Sequence, residues 1–346
     1  MNATLQSGAA KPDPQILVLA DDLTGALESG AAFAHRGIKS AVKLLKAHRT
    51  GEPVLVIDTE TRHASEDEAA TRIEQLATSI TARLIYKKTD STLRGNIRAE
   101  LHALSQRGPV LYVPAYPQLG RTLHDGCLHV HGIPVEESPF AKDPIHPVRT
   151  GNIARLLADT RNITICHENT QNGIQAVARN WIEAGGIAAG PSSLLHAAAE
   201  VLAPGSLTPK FPSVRRALLV SGSRHVQSQR QIAAASGALS NWGWSVFCSP
   251  DEHQGDPLTF AAQFGKQAKG AFESDQFDTI IVFGGDTAFS LLTAMNIDSL
   301  EPIGEVLPGV PVSLLPNKKT LITKAGGFGD PDLLFQVHGK LSHDRR

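Results

Sequence analysis

Cysteine is scarce in this chain of 346 residues. Cys127, Cys166 and Cys248 stand far apart, and no pair has C-x-x-C spacing, so neither a zinc site nor a dithiol redox pair is signalled. Three scattered thiols suit a reducing compartment, and a cytoplasmic location is expected. Long apolar runs are missing as well. Nowhere do ~18 apolar residues follow one another, which excludes a membrane-spanning helix. The segment from Met1 to Gln15 lacks the apolar core of a secretory leader and carries Gly8, Pro12 and Pro14, so residues 1–15 are expected to be a flexible tail. No sign of charge prevails. Lys plus Arg is 33, Asp plus Glu is 34, and without a long basic run nucleic-acid binding by bulk electrostatics is excluded. There is no short-period repeat and no low-complexity segment. Two nucleotide-binding signatures are also lacking: GxxxxGK[ST] is not found, and no GxGxxG follows the first predicted strand.

Hydrophobic residues make up 41% of the chain, enough for a core in each of the two domains that its length suggests. Short apolar bursts alternate with stretches of helical period. Strands are predicted at Ile16 to Ala20, Val54 to Ile57, Leu84 to Tyr86 and Val110 to Val113. Ser65 and Glu68 form a capping box ahead of a helix whose apolar face carries Ile73, Leu76, Ile80 and Leu84. A later helix has Ile97, Leu101 and Leu104 on one face. From Leu119 to Pro147 the alternation stops. This stretch holds His124, His129, His131 and His146 with four prolines, and its apolar residues favour an ordered loop. Residues 204–214 are proline-rich and read as a linker. Strands then resume at Leu218 to Val220, Val246 to Cys248, Thr279 to Phe283 and Thr320 to Thr323. The expected fold is α/β: two domains, each a mostly parallel sheet flanked by helices, with the active site in the cleft between them.

Ligands of open parallel sheets bind beyond the carboxyl ends of the strands. Four clusters lie there. Asp21 and Asp22 follow the first strand; their repulsion asks for a metal, a substrate hydroxyl or a shifted pKa, although Asp22 or Thr24 would also serve as a helix N-cap. Lys87 to Asn96 gathers cations, hydroxyls and a carboxylate. Arg94 there suits a substrate carboxylate, and Asp90 suits a hydroxyl proton; a solvated helix start would look similar. Gly284-Gly285-Asp286-Thr287 precedes a helix whose N-terminus favours phosphate, as an ordinary tight turn also would. Lys324-Ala325-Gly326-Gly327-Phe328-Gly329 adds glycines and a cation fit for an anion or nucleotide. His124, His129 and His131 lack the HExxH spacing, so contact of one of them with substrate is favoured over a metal site.

Taken in order, these segments resemble the four-carbon acid sugar kinases. The resemblance rests on ADDLTGA (Ala20–Ala26), KTDSTLRGNI (Lys88–Ile97), the run from Val113 to Val148, GGDTA (Gly284–Ala288), LPGVP (Leu307–Pro311) and TKAGGFGD (Thr323–Asp330). It implies a sugar-acid-binding domain over 16–203 and a nucleotide-binding domain over 215–346. It also implies transfer of phosphate from ATP to the terminal hydroxyl of threonate, erythronate or 3-oxo-tetronate. Arg94 and Lys88 would fix the substrate carboxylate, Asp21, Asp22 and Ser91 its hydroxyls, and Asp90 or Asp22 would take the proton. Ser223, Gly284, Gly285, Asp286, Thr287, Gly309, Lys324, Gly326 and Gly327 would hold the nucleotide. Mg²⁺ would bridge its phosphates with few protein ligands. Small molecules are the expected partners, without nucleic acid or membrane, and a homo-oligomer is compatible. Two alternatives stand beside this one: a kinase of a branched or oxidised sugar acid, and a non-catalytic relative that binds without turnover. The chain departs from the family pattern where Arg224-His225 follow Gly222-Ser223, with Ser228 and Gln231 further on, and it is shorter than many relatives.

Overall fold

The computed structural model describes residues 12–46, 49–143, 146–205, 208–223, 225–250, 257–274 and 277–342. The strands are β1 (Ile16–Ala20), β2 (Ser40–Leu44), β3 (Val54–Asp58), β4 (Leu84–Lys88), β5 (Val110–Tyr112), β6 (Arg121–His124), β7 (Cys127–Val130), β8 (Ile133–Pro134), β9 (Ile163–Ile165), β10 (Gly186–Gly190), β11 (Ala217–Ser221), β12 (Trp244–Cys248), β13 (Thr279–Phe283), β14 (Ser299–Leu307), β15 (Val310–Leu314) and β16 (Thr320–Lys324). The helices are α1 (Leu23–Ala34), α2 (Glu66–Ser79), α3 (Ile97–Ser105), α4 (Ile153–Leu156), α5 (Gln171–Ala184), α6 (Ser193–Leu202), α7 (Val226–Ala235), α8 (Pro257–Ser274), α9 (Gly285–Ala294) and α10 (Leu333–Leu341).

The first half is a parallel sheet in the order β2-β3-β1-β4-β10-β5-β9, and the second is β12-β11-β13-β16 with β15 and β14 added antiparallel. The α/β, mostly parallel expectation therefore holds. The halves are also joined edge to edge: β14 pairs antiparallel with β2 through Ser299–Lys43 and Leu300–Val42, making one sheet of 13 strands.

Strand alternation explains the core. Along β1, Ile16, Val18 and Ala20 enter one apolar cluster, and Leu17 and Leu19 enter the cluster on the opposite face. The first cluster runs on through Leu27 of α1 and Leu300 of β14 to Phe264 and Leu291 of the second half, so the halves share a core. Gly30 of α1 allows this approach, because a Cβ there would lie 2.6 Å from Pro302 of β14. The capping box forms as expected at Ser65 and Glu68. The stretch from Leu119 to Pro147 is more structured than a loop: β6, β7 and β8 make a small antiparallel sheet. Leu123, Leu128 and Val130 anchor it to the core.

Candidate active site

The site begins where β1, β3 and β4 end side by side. Asp22 is the N-cap of α1: its Oδ1 accepts from the Gly25 amide (2.9 Å) and its Oδ2 from the Thr24 hydroxyl (2.7 Å). The capping reading is thus met, yet the residue does more. Arg62, on the segment after β3, donates through Nε to Asp21 (2.8 Å) and through Nη1 to Asp22 (2.5 Å), and its Nη2 lies 3.7 Å from Asp90. One guanidinium thus serves three buried carboxylates. Burial pushes the Asp22 carboxyl up, but Arg62 and then Lys88 outweigh it and hold it below the ordinary value.

Arg62 was not among the expected residues. The apolar run stops at Ile57, and the strand-end rule carried on over Thr59–His63 points to Arg62. Asp58 and Glu60 lie there too. Burial raises both carboxyls, helped by Asp22 at Asp58 and by Asp58 at Glu60, so the pair retains a proton at neutral pH. Asp286 adds to the effect on Glu60. The buried Asp58 Oδ2 has no hydrogen-bond partner.

The two lysines of β4 diverge, as neighbours on a strand must. Lys87 pairs with Glu100 of α3 at 3.0 Å. Lys88 turns to the other face, where Nζ donates to the Thr89 carbonyl (3.2 Å) and stands 3.6 Å from Glu28 Oε2. Asp90 is engaged on both oxygens. Arg94 holds it bidentately, Nε to Oδ2 at 3.1 Å and Nη2 to Oδ1 at 2.8 Å, and the Thr92 amide and hydroxyl also donate to it. Burial raises its carboxyl, but Arg94 and Arg62 leave it well below the ordinary range. Arg94 also reaches Asp143 at 3.2 Å and lies over the Phe140 ring, so the histidine-rich stretch closes over this corner. Ser91 beside it is half-buried. His146 of that stretch stacks on His63, which in turn meets Asp286 of the second half (Nε2 to Oδ1, 3.1 Å).

The second half brings the ends of β11, β13 and β16 together. Gly284 has φ +104, and a Cβ on it would lie 3.4 Å from Thr287 Oγ1 and 3.6 Å from Ser223 Cβ. A Cβ on Gly222 would fall 2.3 Å from Thr287 Oγ1, and one on Gly326 would fall 2.4 Å from Ser223 Oγ. These glycines bring backbone, hydroxyls and the N-terminus of α9 into one cradle. Lys324 lies beneath it: Nζ donates to Ser228 Oγ (3.2 Å), the Gly326 carbonyl (2.9 Å) and the Phe328 carbonyl (3.1 Å). Burial pushes its pKa down to about 7. Ser228 and Gln231 fasten the same turn, donating to the carbonyls of Gly326 and Phe328. Gly309 supports it from the β14–β15 turn, where a Cβ would strike the Phe328 ring. His225 packs against Gly326 and Gly327, whereas Arg224 lies outside the described residues.

Cradle and carboxylates adjoin. A Cβ on Gly285 would lie 3.3 Å from Asp22 Oδ2 and 3.4 Å from Thr24 Oγ1. Asp22 and Thr24 at the start of α1 thus face Gly285 at the start of α9.

Comparison with known proteins adds a second line. Residues 16–203 match the family model described as a sugar-binding N-terminal domain, and residues 252–334 match a nucleotide-binding C-terminal domain. Ser223 falls outside both matched segments and is placed in the cradle by geometry alone. A D-threonate kinase of Bordetella bronchiseptica is 26% identical, covering 94% of this chain and 96% of that protein. That alignment runs over 405 positions, so the relative carries segments that this chain lacks. A D-erythronate kinase of Heliobacterium modesticaldum is 36% identical over 41% of this chain and 35% of its own length. Among solved structures, a protein of Salmonella typhimurium LT2 superposes with a TM-score of 0.75 at 18% identity, covering 94% of this chain and 99% of the other, which supports the fold.

Proposed function

Because the chain belongs to the family that pairs a sugar-binding N-terminal domain with a nucleotide-binding C-terminal domain, we propose that it is an ATP-dependent kinase of a four-carbon sugar acid. The observation that carries this reading is the contact between Gly285 and Asp22, which sets a phosphate-binding helix end against a carboxylate. ATP occupies the cradle of Ser223, Gly284–Thr287 and Gly326-Gly327, with Lys324 below and Gly309 behind. The first half, with Lys88, Ser91 and Arg94, takes the acid, and Asp21 and Asp22 take its hydroxyls. The terminal hydroxyl approaches from the Asp22 side.

Phosphoryl transfer needs positioning and charge compensation more than a strong base. As the new oxygen–phosphorus bond forms and the bond to ADP breaks, the hydroxyl proton passes to Asp22. Arg62 keeps that carboxylate ionised beforehand. Asp22 and Asp90 are each hydrogen-bonded on both oxygens, but Asp22 is the one that adjoins Gly285 and so takes the proton, whereas Asp90, gripped bidentately by Arg94, orients Arg94. The acidic groups here fit a hard cation: Asp58 and Glu60 repel each other and share a proton that a cation would replace, and Asp286 adds to the repulsion at Glu60. Glu60 and Asp286 would hold Mg²⁺, which would supply charge compensation for the phosphates.

The threonate and erythronate kinases among the relatives guide the test. Release of ADP is measured with D-threonate, D-erythronate and 3-oxo-tetronate, and NMR locates the phosphate in the product. Turnover of at least one acid to a 4-phospho acid is expected. ATP binding without acid-dependent ADP release would overturn the reading in favour of a binding protein.

A further inference from the structure

A second polar cluster lies on the seam between the halves. Glu28 of α1, His196 of α6 and Glu305 of β14 each bring a ligand atom within 4.8 Å of the others. His196 Nε2 stands 3.8 Å from Glu305 Oε2, beyond hydrogen-bonding distance. Neither His196 Nε2 nor Glu305 Oε1 has a hydrogen-bond partner, although both atoms are buried, and the Glu305 side chain is only 9% exposed. Leaving such groups unpartnered is costly. Tyr116 donates to Glu28 Oε1 at 3.2 Å, Lys88 lies 3.6 Å from Glu28 Oε2, and the Gly309 backbone engages the Glu305 carboxyl.

The spacing fits an ion. A metal with bonds of about 2.0–2.2 Å to nitrogen and oxygen holds adjacent ligands roughly 3–4 Å apart, the separation seen between His196 and Glu305. We propose that Glu28, His196 and Glu305 bind a divalent transition metal, with Zn²⁺ as the type, across the seam. One imidazole with two carboxylates favours such an ion over Mg²⁺ or Ca²⁺, which prefer oxygen alone. Burial keeps His196 in the neutral form that ligates. Burial and then Glu28 raise the Glu305 carboxyl, so metal binding releases a proton from it. The Tyr116 hydroxyl orients Glu28 from outside the ligand set. A bound ion would tie α1 and α6 of the first half to β14 of the second.

The full chain is stripped by dialysis against chelator and titrated with Zn²⁺, with Mg²⁺ and Ca²⁺ in parallel. Bound metal is counted by mass spectrometry after desalting, and melting is followed in the same samples. The wild type should retain one Zn²⁺ per chain and melt higher with it. His196→Ala and Glu305→Gln should each weaken Zn²⁺ binding at least ~10-fold. Glu305→Gln matches the neutral carboxyl of the metal-free protein in size and charge, so its metal-free form should melt no lower than wild type, which separates loss of the site from loss of the fold. Equal Zn²⁺ retention in all three proteins, no retention in the wild type, or a Mg²⁺ response that requires His196 would each overturn the proposal.

Discussion

Replacing Arg62 with methionine keeps much of its apolar stem and removes the guanidinium on which Asp21, Asp22 and Asp90 converge. The side chain is 11% exposed, so water does little to screen what is left. Breaking a buried ion pair from one side costs about 3–5 kcal/mol, because the remaining charge is stranded. At roughly 2–4 °C per kcal/mol for a unit of this size, the melting temperature should fall by about 6–20 °C. The pH dependence tests the cause. In the wild type the Asp22 carboxyl lies below its unfolded value, so its stabilisation is complete above about pH 4 and fades only as pH falls further. Arg62 is the largest of the influences that oppose burial, ahead of Lys88, Thr24 and Gly25, so without it the carboxyl is expected to rise above its unfolded value. The folded state then binds the extra proton, and stability falls as pH rises. The gap between wild type and variant should therefore widen from mildly acidic to mildly alkaline buffer. Thermal melts across that range measure it, with Arg62→Lys as the variant that keeps the charge and loses the fork. A methionine variant that melts with the wild type at every pH would refute the argument.

Asp22→Asn should lower kcat by about 10²–10⁴-fold with the sugar acid still bound, whereas Asp90→Asn should chiefly raise KM for the acid by loosening Arg94; the opposite pattern in steady-state kinetics would move the proton acceptor to Asp90. Because burial pushes Lys324 down to about 7, its charge in the free enzyme is lost as pH rises past neutrality. The kcat/KM for ATP should decline there, and Lys324→Arg should flatten that decline; a level wild-type profile would remove Lys324 from phosphate binding. Gly222→Ala puts a Cβ 2.3 Å from Thr287 Oγ1, so calorimetry should show weakened ATP binding with sugar-acid binding preserved, and equal loss of both would place the damage elsewhere.

Strands made of β-branched and aliphatic residues were legible in the sequence, and so were the clusters at their ends. β1 and β13 have the expected bounds, and β4 and β16 run on only into the lysines that close them. Other strands left little trace. β10 reads GIAAG, whose small residues give no strand signal, and β2 reads SAVKL, where a lysine interrupts the apolar run. The strands β6 and β7 place histidine and threonine between their buried residues, which made a packed antiparallel sheet look like a loop. Within the site, residue types were readable and pairing was not. The sequence places Arg94 close to Asp90 but does not say whether its fork is aimed at a ligand or at that aspartate; only the structure engages it. Glu28, His196 and Glu305 carry no signal at all, because three separate elements must be folded before they meet.

The junction of β14 with β2 constrains how the molecule can be taken apart. A strand edge that is satisfied within the chain becomes adhesive when its neighbour is removed. Expressed alone, the sugar-binding half would bare β2 and the nucleotide-binding half would bare β14, each beside apolar residues that the shared core now covers. Two independently produced halves should therefore precipitate or pair with copies of themselves unless they are made together. Movement about the cleft is restricted in the same way: the halves cannot slide past each other without breaking both pairs of the junction and opening the core they share.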